Sequence, residues 1–553
     1  MQKKSKRIFI VLIVVVLLPF IFNPRLTSYL FGEVRYQDEQ LKPGNLAVPH
    51  LRTMAWKKQS PFADSIIHYW ADQPILNKGL GGKGIAPRLL LAKLWVKRGI
   101  PEVNKAICEL KAWGVSGSSW ALNKSGDYDF TLSILIDILW YFGDQPDLLY
   151  PESKNYLLNV LLTEDGNKFR YTAPRTLGLV METENHILMT EGSRYLKNRW
   201  IMQHGNRDSR YDNLQNGMEK KLFDFMEVMR TNGLYEFNSI PYIGYTITAL
   251  LNLEAFGSDK LSAEARRVLD LMNWSYALGT YRLRHYPPMR RRYEKSVIQE
   301  LNTDYQTVFM KSWLSFAPIG DYDRNLGGGE VHALMGALMP YRPADKVVEM
   351  IFSKGNGYFV KLGHGSDGSP EIYSAYENSL LSAGGVNRGE RTLIVARPIT
   401  LFRDDRAVTL AETFHLAGPG SNFMKWNNTG VYKNFACAAG PVAVPSTSVS
   451  KASNGIWAIY PGIDRSVIAV HSEAALGLLV LFKDIDAVSL LEQLNKANPD
   501  ISRLKSEFNF PDGRKLTYDV GAPKNKWVMI SDNGIPLDRD FDKWPLMDGN
   551  LKN

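Results

Sequence analysis

A change of period constrains this chain more than any other feature. From about residue 60 to 340 apolar side chains recur at helical spacing, in segments divided by short Gly, Pro, Asn or Asp punctuation. Helices are expected over 86–99, 101–114, 128–142, 153–162, 184–201, 214–231, 242–256 and 262–278, with Gly99, Gly114, Gly233 and Gly257 at helix ends and Pro101 in a first turn. After Met339, Pro340 and Pro343 the pattern shortens to β-like runs at 358–362, 392–396, 407–410, 442–444, 455–460, 466–471, 476–481 and 527–530, with one short helix near 486–496.

Helical hairpins without strands between them either stack as a solenoid or close as a ring. No fixed-period repeat motif is present, which favours the ring. The expected architecture is an N-terminal (α/α) toroid over 33–345, then a C-terminal antiparallel β-sandwich over 346–553.

Residues 1–32 form a separate element. Lys3, Lys4, Lys6 and Arg7 precede an apolar run from Ile8 to Phe22, interrupted only by Pro19. The segment is read as an N-terminal membrane anchor or signal, and the bulk of the chain as exported to the cell envelope or secreted. It also corrects the charge argument. Arg25 and those four basic residues, with no acid before Glu33, take five charges from the formal +9 and leave +4 for the remainder. A nucleic-acid partner is therefore not implied. Cys108 and Cys437 make neither a disulfide framework nor a zinc spacing, and both are expected as buried thiols.

Three stretches carry chemistry. The first, 181–196, holds Asn185, His186 and Arg194 at the start of a helix, with Thr183 as a candidate N-cap. Taken alone, this cluster is better explained as capping plus one satisfied histidine. The second, 234–245, holds Glu236, Tyr242 and Tyr245; the two tyrosines share a helix face, and Ser239 and Pro241 fit a helix start. The third, 363–385, is a glycine-dense turn bearing His364 and Asp367. Between the last two, Arg284, His285 and Arg290 lie in a basic aromatic loop that suits a carboxylate-bearing ligand or simply a solvated surface. HExxH, CxxC, P-loop and nucleophile-elbow motifs are absent from the sequence.

Taken in order, these features resemble the heparinase II/III-like polysaccharide lyases, including alginate and oligoalginate lyases. The resemblance rests on Asn185-His186, on Tyr242 in its Ser-x-Pro-Tyr context and on the Gly363-His364 turn, and covers most of residues 60–500. It implies β-elimination on a uronic-acid polysaccharide. Asn185 would neutralise the substrate carboxylate, His186 and Tyr242 would act as base and acid, and His364 would close the cleft. Arg194, Glu236, Tyr245, Arg284, His285 and Arg290 would bind substrate. Pro241 departs from the family pattern and leaves Tyr245 as a rival phenol. The elimination chemistry requires no cofactor; Ser366 and Gly368 stand where a histidine and an acid are expected, so a divalent metal in the sandwich, with His415 as a distant ligand, stays unsupported. Two other readings stay open. One is a toroid-type glycoside hydrolase using a carboxylate pair drawn from Glu182, Glu184, Glu191 and Glu236. The other is a non-catalytic polysaccharide-binding or assembly protein of the envelope.

Overall fold

The structure is a computed structural model that describes residues 40–75, 84–120, 122–178, 180–240, 242–286, 288, 300–365, 370–376, 379–384, 397–402, 409–416, 429–523 and 526–551. The N-terminal segment 1–32, Arg290, Asp367 and the expected strand at 392–396 lie outside them.

The first half is helical: α1 (Pro61–Asp72), α2 (Ile85–Trp95), α3 (Ile100–Glu109), α4 (Asp129–Phe142), α5 (Pro151–Tyr156), α6 (Glu184–Gln203), α7 (Met218–Asn232), α8 (Ile243–Phe256), α9 (Asp259–Leu278), α10 (Tyr305–Leu314), α11 (Glu330–Leu338) and α12 (Asp345–Phe352). Sequence composition sorts them into layers. In α4, α6, α8 and α10 nearly every side chain is buried, so these helices are enclosed on all sides. In α3 and α7 only one stripe is buried, Val103, Ala106 and Ile107 in the first and Leu222, Phe225, Met226 and Met229 in the second. Contacts pass from α1 to α2, α4, α6, α8, α10 and α11, and from α11 back to α1.

Two expectations for this half need correction. A short antiparallel hairpin, β1 (Thr280–Tyr281) with β2 (Arg284–His285), interrupts the helices, anchored because Arg282 N–H donates to the Ile351 carbonyl. Helix α12 also crosses the boundary placed at 345, because Val347, Val348, Met350 and Ile351 give it an apolar stripe that packs on α9. The change of texture falls between Phe352 and Tyr358.

The second half is antiparallel. Its first strands are β3 (Tyr358–Leu362), β4 (Glu371–Tyr376), β5 (Ser379–Gly384), β6 (Arg397–Phe402), β7 (Phe414–Leu416), β8 (Thr429–Tyr432), β9 (Phe435–Ala438) and β10 (Val442–Ala443). There follow β11 (Ala452–Ser453), β12 (Ala458–Pro461), β13 (Ser466–Glu473), β14 (Leu476–Lys483), helix α13 (Ala487–Ala497), β15 (Glu507–Asn509), β16 (Lys515–Tyr518), β17 (Met529–Asp532), β18 (Ile535–Pro536) and β19 (Asp548–Leu551). A seven-stranded sheet runs β10-β7-β6-β5-β4-β3-β19, a six-stranded sheet β11-β12-β13-β14-β9-β8, and a four-stranded sheet β15-β16-β17-β18. Leu410 belongs to a 3-10 turn, Leu410–Glu412, not to a strand, since Thr409 and Glu412 close a capping box there.

Strand alternation divides the side chains of the seven-stranded sheet between two cores. Tyr358, Val360, Leu362, Tyr373, Ala375 and Leu380 join the helical core, whereas Ile372, Leu381 and Ala383 join a second core shared with β9, β13 and β14. This sheet is thus the layer through which the two halves meet. Close approach at the seam depends on Gly233, whose φ of +78° favours glycine and whose absent Cβ would lie 3.0 Å from Leu546 and 3.7 Å from His364 Nδ1. Cys437 is buried, as expected, and burial raises its thiol pKa; Cys108 is exposed because it sits on the outer face of α3.

Candidate active site

Helix α6 begins at Glu184, as the sequence suggests, but not through a threonine cap. The Thr183 hydroxyl donates to Asn185 Oδ1 at 3.2 Å and makes no capping bond to the helix amides. Asn185 is fully buried and donates through Nδ2 to Glu236 Oε2 at 2.6 Å. Glu184 Oε1 accepts the Glu236 backbone N–H at 2.7 Å. The first turn of α6 and the loop before α8 are therefore locked together by two buried carboxylates.

His186 faces the other way. Its Nδ1 lies 2.7 Å from Asp129 Oδ2 at the start of α4, and Asp129 Oδ1 accepts from Gly117 N–H at 3.1 Å. Burial pushes the imidazolium pKa down, but the negative charges of Asp129, Glu182 and Asp127 outweigh it and carry the pKa up to about 10. At neutral pH His186 is a cation. Its Nε2 makes no hydrogen bond among the described residues.

Tyr245 of α8 reaches this pair through Phe130. Phe130 contacts the ring of His186 at 5.4 Å and that of Tyr245 at 4.3 Å, both edge to face. Tyr242 occupies the N-cap position of α8, with its N–H on the Ser239 carbonyl, and is half-buried. The Ser239 hydroxyl caps nothing. Burial, only partly opposed by Arg88, pushes the Tyr245 phenol up to about 12, so Tyr245 stays protonated.

The sheet half closes the arrangement. His364, after β3, stacks on Phe237 with ring centroids 3.9 Å apart, and its Nε2 lies 2.7 Å from Glu371 Oε2 at the start of β4. Asn238, held at φ +48°, donates to Glu371 Oε1 at 2.8 Å and to the Pro288 carbonyl at 3.1 Å. The three stretches singled out in the sequence converge: Glu184 and Asn185 on Glu236, and Phe237 and Asn238 on His364 and Glu371.

Other expected residues go elsewhere. Arg194 lies two turns along α6, about 12 Å beyond His186 at helical rise. It is buried, pairing with Glu191 at 2.9 Å, with Glu164, and with the Asp165 carbonyl at 2.6 Å. Its donors serve this network. Glu236 likewise is buried and accepts from Asn185. His285 is buried against the Tyr276 ring, 3.5 Å from Asp304, the N-cap of α10. Arg284 remains half-exposed on the β1–β2 hairpin, where Nη1 donates to the Arg282 carbonyl at 3.1 Å. Arg290 falls between Pro288 and Glu300, outside the described residues.

Asp129, Glu371, Phe130 and Phe237 were not found by sequence reasoning. Asp129 stands 57 residues before His186, and no local spacing connects them. Among the described residues no group of three or more histidine, cysteine, aspartate or glutamate side chains could hold a metal ion. No family model and no curated protein sequence matches this chain.

Proposed function

We propose that this protein is a polysaccharide lyase that cleaves a uronic-acid polymer by β-elimination, on an (α/α) toroid joined to a β-sandwich. The closed cycle of helix contacts supports the toroid, and the apolar core shared by the six- and seven-stranded sheets supports the sandwich. One observation carries the chemistry. An imidazole held as a cation by Asp129 sits against Phe130 together with Tyr245, one helical turn from Tyr242, while His364 closes on the same loop from the sheet side.

The C5 proton of a uronate is poorly acidic until the adjacent carboxylate is neutralised. His186, charged up to about pH 10, supplies that neutralisation through Nε2–H. This moves to His186 a role first expected of Asn185, which is fully buried and engaged with Glu236 and holds the first turn of α6 in place. In the reaction the C5–H bond breaks, a C4–C5 double bond forms, and the C4–O bond breaks with a proton delivered to the departing oxygen. Tyr242 is the group for proton transfer at C5, and Tyr245 or Tyr242 returns a proton to the leaving oxygen.

A hydrolase reading has less support. Glu184, Glu236 and Glu191 accept from Glu236 N–H, Asn185 and Arg194, and Glu182 Oε2 accepts the Ser118 N–H at 2.9 Å, so the four carboxylates act as structural acceptors. Export to the cell envelope follows in this reading from Lys3–Phe22. Among the described residues no helix is long and apolar enough to cross a membrane.

The test is to incubate the protein with alginate, heparan, chondroitin, hyaluronan and bacterial exopolysaccharides and to weigh the products. Elimination leaves the fragment with the new, unsaturated non-reducing end lighter by one water than its hydrolysis counterpart. Hydrolysis-mass products would replace this reading with the glycosidase, and retention of a polymer without cleavage would replace it with the binding protein.

A further inference from the structure

We infer that Glu371 is a positioning residue, which fixes the proton of His364 on Nε2 and presents Nδ1 as the acceptor nitrogen of that ring. The inference rests on the lyase reading for its effect on catalysis, though not for its effect on the imidazole. Glu371 is fully buried, and its carboxylate receives three side-chain donors: His364 Nε2 at 2.7 Å, Asn238 Nδ2 at 2.8 Å and Tyr373 OH at 2.6 Å. A carboxylate among donors has only lone pairs to offer, so the hydrogen between it and His364 resides on Nε2. In neutral imidazole the other nitrogen, Nδ1, then carries the lone pair. That nitrogen is the one facing Gly233, at the seam between the halves.

The remaining contacts of Glu371 explain why a buried carboxylate suits this place. Asn238 belongs to the loop that also carries Glu236 and Tyr242, and Tyr373 packs against Gly279 at the end of α9. Glu371 therefore ties the helical half to the ring of His364 through one group, and Phe237 stacks on that ring to restrict its rotation. The orientation of the His364 ring is set through this carboxylate, in the way an outer partner fixes the tautomer of a functional histidine.

The test is heteronuclear NMR of the full chain labelled with 15N-histidine, with His364→Gln identifying the His364 signals. Neutral His364 should be protonated on Nε2 in the natural protein. In Glu371→Gln, whose amide can also donate, the two tautomers should mix, and Glu371→Asp should restore much of the Nε2–H form. With a uronate polymer that the natural protein cleaves, Glu371→Gln should lower kcat by about 10- to 100-fold, with little change in KM. A His364 protonated on Nδ1, or a tautomer unchanged in Glu371→Gln, overturns the inference. If no polymer is cleaved, the lyase reading fails, and the tautomer result still decides the role of Glu371. Melting curves identify any variant that fails to fold, and Tyr373→Phe, which removes one donor and keeps the carboxylate, should then retain the Nε2–H tautomer.

Discussion

Asp129 Oδ2 lies 2.7 Å from His186 Nδ1, and this pairing makes His186 a cation where a lone buried histidine would be neutral. The pairing joins the first turn of α4 to that of α6, and the proposed chemistry depends on it.

Replacing Asp129 by Asn removes the charge and keeps the shape. The alkaline limb of kcat/KM is expected near pH 10 in the natural protein if loss of the His186 proton ends activity. In Asp129→Asn it should move toward the ordinary histidine value of about 6.5. A pH–rate profile on any cleaved uronate polymer checks this.

The same pair shapes stability. The His186 pKa is raised by folding, so its contribution is complete below about pH 6.5 and is lost as pH rises through about 10. Urea midpoints should fall between those values, and the fall should be smaller in His186→Gln. Equal slopes in both proteins would contradict the raised pKa.

Arg194 gives a contrasting expectation. Truncating it to Ala leaves Glu191 buried without its main cation, which costs about 3–5 kcal/mol of stability. Chemical denaturation reads this loss, and KM should not change beyond the effect of lower stability. A large rise in KM with stability intact would return Arg194 to the substrate site.

Asn185 is expected to act through Glu236. Asn185→Ala removes a 2.6 Å hydrogen bond to a buried carboxylate and should destabilise by about 1–3 kcal/mol. Activity should fall with it through loss of order in the α6–α8 connection. Loss of kcat by many orders of magnitude with an unchanged melting temperature would instead restore a direct role on the substrate carboxylate.

Much of this arrangement was legible from residue type and order. The helical half, the switch to strands and the start of α6 at Glu184 follow from apolar period and punctuation, which are local signals. His186, Tyr242 and His364 stood out because uncommon side chains sat at helix starts and in a glycine turn. Asp129 and Glu371 could not be assigned, and the pairing of Glu236 with Asn185 could not be read, because each acts through a partner on another element and spacing carries no trace of that pairing. For Arg194 the charge is visible in the sequence, and the carboxylates that pair with it, Glu164 and Glu191, are identified only once the chain is folded.

The most direct measurement is ultraviolet absorbance of unsaturated uronate ends, followed as the full chain acts on the panel of uronate polymers, with His186→Ala and Tyr242→Phe alongside. The account predicts rising absorbance with at least one polymer, lowered by about 10²- to 10⁴-fold in each variant without loss of fold. Full activity in both variants, or cleavage of the polymer with no new absorbance, would contradict it.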